Sequence, residues 1–428
     1  MAALSNAAAL RLRQLMPVSN IGIDADKNAK QSLPFLFFYA LAVAGGAIGY
    51  VPFLTLLLPL QAAKQFGGEA LNVLAYATFA GAIAASCANI FFGWLSDITK
   101  QRRPWIAAGM ILSSMLLALM PYATSAAVLI GMIIVWQLCL NMMLAPLGAW
   151  AGDCVPDAQK GLLGGFLAFA PALGALSGTI ITLQGLATQH ERHFAIALLV
   201  IVLVTPVLFI VRPAPMPELQ ADVADDRQSA TIRRRSKGDA ARMWLARLLV
   251  QIAEASLFAF LLLWFRSVEP GFGENDVANI FSIVLGIAVL FAIVVGRWSD
   301  RTSKPILPLA ICALAGAIGL TVMAIAVTLP FALFGYFIFG VASSIFLALH
   351  SSQTLRVLPS AQHRGRDLGV FNLTNTVPSL VMPWLTLALV PLYGFDALFL
   401  LLAGLAVVAF VLLLTMSRTA DNQIVTAL

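Results

Sequence analysis

Glu254 is the residue of this 428-residue chain whose type and place most suit chemistry. It lies in the apolar stretch LLVQIAEASLFAF, Leu248 to Phe260. An unpaired charge is expensive in hydrocarbon, so an ionisable group at that depth is a functional candidate. Apolar surroundings favour the neutral carboxyl, which can then bind and release a proton, as a proton-coupled carrier requires. The alternative is a neutral Glu hydrogen-bonded between helices. Arg247 precedes it by two helical turns on the same face and either pairs with Glu254 or reaches toward the interface. Gln251, three residues before Glu254, shares that face.

Other polar residues could complete such a site. Tyr50 sits in Ile48-Gly49-Tyr50-Val51-Pro52, where Pro52 removes a backbone hydrogen bond and Gly45, Gly46 and Gly49 loosen the helix. Broken helices at matching repeat positions point to midplane binding sites. Tyr50 could stack on a sugar ring, or simply pack. Gln137 and Asn141 stand one turn apart, and Asn372, Asn375 and Thr376 form a polar patch. Amide side chains suit a polyhydroxylated solute without fixed charge. They equally suit interhelical hydrogen bonds. His350 is either a proton relay or a hydrogen-bonded structural histidine, with Gln353 close by.

These residues need a frame, and composition supplies it. The chain is 60% hydrophobic and 11% charged, against roughly 25% charged in soluble domains. A soluble protein this apolar could not cover its surface, so the chain is expected to be an all-α integral membrane protein. Spans of about 20 apolar residues are expected at 34–60, 70–95, 104–122, 125–150, 160–185, 193–211, 241–266, 276–298, 305–328, 330–356, 366–390 and 394–416. That gives an N-terminal segment 1–33, a six-helix bundle 34–211, a linker 212–240, a second bundle 241–416 and a tail 417–428. The linker, with Pro213, Pro215, Pro217 and the basic cluster Arg233 to Lys237, is expected to be flexible. Lys and Arg concentrate in alternate loops, which places both termini in the cytoplasm of a plasma or inner membrane. The net charge of +6 is explained by topology and implies no nucleic-acid partner.

Several chemistries are excluded. There is no GxxxxGK[ST] phosphate loop, no nucleophile motif and no His/Cys/carboxylate cluster at metal spacing. Neither an enzyme, a cofactor nor a metal is expected. The four cysteines, Cys87, Cys139, Cys154 and Cys312, read as small buried hydrophobes. The segment through Lys30 has no apolar core with a cleavage site, so no secretory signal is read there.

The stretch Phe92 to Trp105, FGWLSDITKQRRPW, ends one span and opens the next. Gly93 lets a backbone come close, Ser96 and Asp97 close the helix, and Lys100, Arg102 and Arg103 hold the turn. Gly296-Arg297-Trp298-Ser299-Asp300 repeats it: Gly93 to Gly296 and Asp97 to Asp300 are both 203 residues apart. The same offset aligns Val155-Pro156-Asp157-Ala158-Gln159 with Leu358-Pro359-Ser360-Ala361-Gln362. Two loop motifs at one offset make each half a copy of one ancestral unit.

Twelve spans, a long central loop and GxxSD motifs followed by cations resemble the major facilitator superfamily. Ser96-Asp97 with Arg102-Arg103-Pro104-Trp105, and Gly365-Arg366-Asp367-Leu368-Gly369 with the Asn-rich stretch to Pro378, resemble the glycoside-pentoside-hexuronide cation symporters and the plant sucrose–proton symporters. The first copy departs from the common motif: Ile98 stands where an Arg is usual, and the usual Gly of the turn is absent. The resemblance implies a gating set of Gly93, Asp97, Arg102, Arg103, Gly296, Asp300 and Arg301. Asp97 would cap the start of span eleven, Asp300 that of span five, and Arg301 would hold the second copy's cationic place. It also implies a monomeric secondary transporter moving a small polar solute, a sugar or glycoside, with a coupling cation, the proton. Drug or metabolite efflux, muropeptide permeation, and a non-transporting assembly or sensing role remain open.

Overall fold

The computed structural model describes residues 30–181, 188–216, 219, 227–358 and 362–426. Residues 31 onward make one unit. The described part is helical: α1 Leu33–Pro52, α2 Leu58–Phe66, α3 Ala70–Thr99, α4 Arg103–Leu119, α5 Ala126–Cys154, α6 Lys160–Leu167, α7 Phe169–Ile181, α8 Gln189–Phe209, α9 Arg227–Val268, α10 Glu274–Thr302, α11 Leu307–Ala324, α12 Leu329–Val357 and α13 Arg364–Thr426. Among the described residues, ten segments are long and apolar enough to cross a membrane, and the bent pair Gly238–Leu257 and Phe260–Val268 makes an eleventh. α13 breaks at Gly394, whose φ of 77° is non-helical. Its first arm is the span expected at 366–390, and the break falls where the twelfth span was expected to start.

Local sequence explains the helix ends. Ser32 accepts from the Phe35 N–H and Ser125 from the Val128 N–H, each satisfying an orphan donor of a first turn. Thr188 and Glu191 form a reciprocal capping box at α8. α3 and α10 end alike: Lys100 (φ 53°) and Ser303 (φ 54°) are the positive-φ residues other than glycine among the described residues. They stand 203 apart, so both repeats keep a left-handed cap that favours glycine without using one.

The repeat also shows in broken helices. α1 runs through Pro52 into a π-turn, Phe53–Leu57, before α2. α9 bends by 59° between Leu257 and Phe260. Leu54 and Leu57 are the repeat partners of those two residues, so spans one and seven break at one shared place.

Each half buries its own core. In the first, Phe53 meets the fully buried Trp136 edge-on at 4.9 Å. In the second, Trp264 sits between Phe265 and Phe399, with centroids 4.7 and 5.0 Å away. The halves meet where α3 packs on α13 and α10 on α6.

Two expectations change. The linker is shorter than 212–240: α9 begins at Arg227, so the basic cluster Arg233 to Lys237 lies on a helix. Its residues 217, 218 and 220–226 lie outside the described residues. The tail from 417 continues α13 as far as Thr426. The N-terminal segment through residue 29 and the repeat residues Pro359 to Ala361 lie outside the described residues.

Candidate functional site

Two carboxylates reach from one bundle to the helix start of the other. Asp97, at the end of α3, accepts from the backbone N–H groups of Gly365 (2.9 Å) and Arg366 (3.0 Å) at the start of α13. Asp300, at the end of α10, accepts from the N–H groups of Gly161 and Leu162 at the start of α6, both at 2.8 Å. A carboxylate at a helix N-terminus satisfies orphan donors and meets the positive end of the dipole. Glycines allow the approach. A Cβ on Gly93 would collide with the Gly365 carbonyl, and one on Gly296 with the Gly161 carbonyl. Gly365 stands 204 residues after Gly161, so the second copy has gained one residue between Gln362 and this contact.

Cations brace both contacts. Arg102 pairs with Asp97 (2.7 Å) and with Asp153 of α5 (2.9 Å). Asp153 also binds Arg364 of the other bundle at 2.7 Å, and Gly152 leaves room for that side chain. In the second copy the corresponding partner of Asp300 is Arg356, at 3.1 Å. Arg301 is exposed and makes no ion pair among the described residues, so the place expected for Arg301 belongs to Arg356. A side chain from α12, where Arg356 sits, can reach across to Asp300, while Arg301 follows Asp300 on its own helix and points elsewhere. Arg103 lies over the Trp150 ring, 5.2 Å from its centroid.

Sequence reading missed Asp153, Arg356 and Arg364. The signal was present: Asp153 and Arg356 are repeat partners at the offset of 203, a charge at the end of the fourth span of each half, of opposite sign. An Asp153→Asn, Arg364→Gln double-mutant cycle is expected to give a coupling of about 1–3 kcal/mol in the closure of this end. Labelling of a Gly148→Cys reporter from that side would measure it, and additive effects would contradict the pairing.

A cavity of about 250 Å³ lies between the bundles inside this sealed end. Its polar lining includes Asn89 from α3, Arg247 from α9, Ser351 from α12, and Asn372 and Asn375 from α13. Arg247 turns toward α12 and α13. Its Nη1 faces His350 Nδ1 (3.3 Å) and donates to Ser351 Oγ (3.0 Å), and its Nη2 donates to Asn375 Oδ1 (3.3 Å). Asn375 donates to Asn372 at 2.8 Å.

The ring of His350 is fixed by its neighbours. Nε2 lies 2.9 Å from the Met243 carbonyl, which only accepts, so Nε2 carries hydrogen. Nδ1 faces the guanidinium, which only donates, and Thr354 Oγ1 at 3.1 Å. His350 is therefore neutral and orients Arg247. Of its two expected roles the geometry supports the structural one.

Glu254 is half-buried and forms neither a hydrogen bond nor an ion pair among the described residues. Arg247, Tyr50 and Tyr336 are within electrostatic reach of it. Arg247 thus does not pair with Glu254: three of its five donors face neutral groups. Gln251 has a buried Oε1 without a hydrogen-bond partner.

The expected residues fall into three sets. Asn372 and Asn375 line the cavity beside Arg247, which His350 holds. Glu254, Gln251 and Tyr50 belong to the neighbouring turns of α9 and α1 and do not line it. Gln137 and Asn141 are buried and joined in a chain of amides: Asn89 donates to Asn141 Oδ1 (2.9 Å), and Asn141 to the Gln137 backbone carbonyl (2.9 Å) and to Gln137 Oε1 (3.4 Å). Only Asn89, unremarked in the sequence, carries that chain to the cavity wall. Ser86 and Thr376, 3.0 Å apart, tie α3 to α13 nearby.

Comparison with the curated proteins returns no match. Solved structures match in fold. A proton:xylose symporter, XylE, superposes with a TM-score of 0.70 at 13% identity, over 90% of this chain and 95% of the other. The E. coli fucose:proton symporter FucP gives 0.70 at 16%, over 89% and 97%. A bacterial homologue of the iron transporter ferroportin, in an outward-facing state, gives 0.70 at 16%, over 90% and 99%. The sequence profile of the Major Facilitator Superfamily matches residues 35–361 and again 243–425, the second match being the C-terminal half on its own. Paired bundles, their reciprocal carboxylate caps and this match over most of the chain agree: the chain belongs to the Major Facilitator Superfamily of membrane transporters.

Proposed function

We propose that the protein moves a small polar solute across a membrane by proton-coupled alternating access, with the two bundles rocking about the cavity at Arg247 and Asn375. The observation that carries this reading is a cavity between the bundles, with asparagines and Arg247 set into an otherwise apolar wall, directly beneath an end sealed by reciprocal helix caps. In the proposal the sealed, cation-rich end faces the cytoplasm, the cavity communicates with the opposite side, and the two aspartates are released when the bundles rock. Glu254 is the proton site: it is half-buried, carries no ion pair, and lies within reach of Arg247 on its own helix and Tyr50 on the repeat-related one.

A sugar or related polyol fits better than an amphipathic drug. Three asparagines, two serines, a threonine and an arginine interrupt a wall of leucines and alanines, and the aromatics there are Tyr39 and Phe371. Two similar folds are named for sugar–proton symport, and the ferroportin homologue for iron. A non-transporting role would be supported by Glu254 locked in a salt bridge, and it makes none among the described residues.

Uptake into proteoliposomes tests the proposal. Solute accumulation should follow an imposed inside-alkaline pH gradient and collapse with a protonophore. Uptake indifferent to the gradient would overturn proton coupling.

A further inference from the structure

We propose that Arg247 selects a solute bearing a carboxylate, binding it through N–H groups that the protein leaves unused. The inference rests on the reading that this cavity is the solute site, and it names the class of solute.

Arg247 is the charged residue of the cavity wall among the described residues. No carboxylate lies within 4.0 Å of it there, although taking even a half-buried cation from water without a counter-ion is costly. The protein instead holds the guanidinium open with neutral acceptors. A guanidinium has five N–H donors. Three are engaged, two on Nη1 and one on Nη2. The Nε–H and one Nη2–H remain without a partner among the described residues, beside a cavity of about 250 Å³. Paired N–H groups of an arginine match a carboxylate by two charge-assisted bonds.

The surroundings fit a cation kept free for an anionic ligand. His350 accepts from the guanidinium and gives its own hydrogen to Met243, so it adds no charge. Asn375 accepts from Arg247 and donates to Asn372, which fixes the direction of the amides. Glu254, two helical turns further along α9, is not its ion-pair partner. The hydroxyls of a neutral sugar can accept from the remaining N–H donors but leave the charge uncompensated, whereas a monocarboxylate satisfies both. Asn89 and Asn372, on the packed pair α3 and α13, would then meet its hydroxyls.

The test uses the full-length protein in lipid nanodiscs and calorimetric titration with D-glucuronate, D-gluconate, D-glucose and D-glucitol. Each acid is expected to bind at least about tenfold more tightly than the neutral compound of the same skeleton, the factor expected of charge-assisted bonds. Arg247→Gln should reduce that ratio to about one, and Arg247→Lys, which keeps the charge without the fork, should leave an intermediate ratio. The wild-type ratio decides even where a variant fails to fold. Equal binding, tighter binding of the neutral compounds, or a preference that survives Arg247→Gln would overturn the inference. Binding of the neutral compounds alone would overturn it and leave the transport reading standing. Binding of none of the four would overturn both.

Discussion

Glu254→Gln is expected to abolish solute accumulation driven by a pH gradient while leaving solute exchange across the membrane intact. A carrier that moves one proton with each solute can concentrate the solute about tenfold per pH unit, because one unit is worth about 1.36 kcal/mol. An amide has the shape of the protonated carboxyl and cannot release a proton. The variant should therefore equilibrate solute without concentrating it, so an accumulation ratio of about ten falls to about one. Exchange of labelled for unlabelled solute requires opening to each side with solute bound and no deprotonation, so it should persist. The substitution is mild in packing terms: Glu254 is half-buried and has no hydrogen bond to lose among the described residues. A Glu254 that merely fills space would give a different result, with accumulation unchanged at wild-type stability, and that result would remove it from the coupling mechanism.

The fold was legible in the sequence where a physical constraint acts on many residues at once. Apolar runs long enough to span a bilayer gave the helices within a few residues, and the 203-residue offset gave the two halves. The helix caps entered through the family resemblance of the repeated motif, and Asp97 and Asp300 do accept from the first N–H groups of α13 and α6. The legible part stops at side chains whose meaning depends on which helix they face. Gln137 and Asn141 have the right type and spacing for a cavity, yet both are joined in an amide chain, and only Asn89 carries it to the wall. Arg301 sits in the motif, but Arg356 reaches the carboxylate from a different helix. Periodicity within one helix cannot report such a contact. Asp153 could have been found, since its repeat partner is Arg356, had charge at equivalent positions been compared without regard to sign. The kept-apart pair Arg247 and Glu254 was beyond sequence reasoning, because the groups that separate them come from α12 and α13.

Gly365→Leu is expected to open the cation-rich end. A Cβ at Gly365 would fall on the Gly93 carbonyl and 2.9 Å from Asp97 Oδ1, and neither can move aside without releasing the cap. The obstacle is backbone against backbone at a helix crossing, where overpacking costs about 1–3 kcal/mol or more. The cap contributes too, since parting the helices also breaks the bonds from Asp97 to Gly365 and Arg366. A loss of about 3 kcal/mol in the sealed state changes its ratio to the open state more than a hundredfold. The reporter is a cysteine introduced by Gly148→Cys on the cavity wall, where an added Cβ meets its nearest neighbour at 3.9 Å, Leu368 Cδ1. Its reactivity toward an impermeant maleimide should move from the opposite side of the membrane to the cation-rich side. Gly131→Leu, at an exposed position where an added Cβ meets nothing within 4 Å, should leave the labelling pattern unchanged. Gly296→Leu should reproduce the Gly365→Leu result through the other half, because its Cβ meets the Gly161 carbonyl in the repeat-related crossing. If Gly365→Leu opened the end and Gly296→Leu did not, the two caps would not act as equivalent halves of one closure, and the symmetric mechanism would fail even though the fold is symmetric.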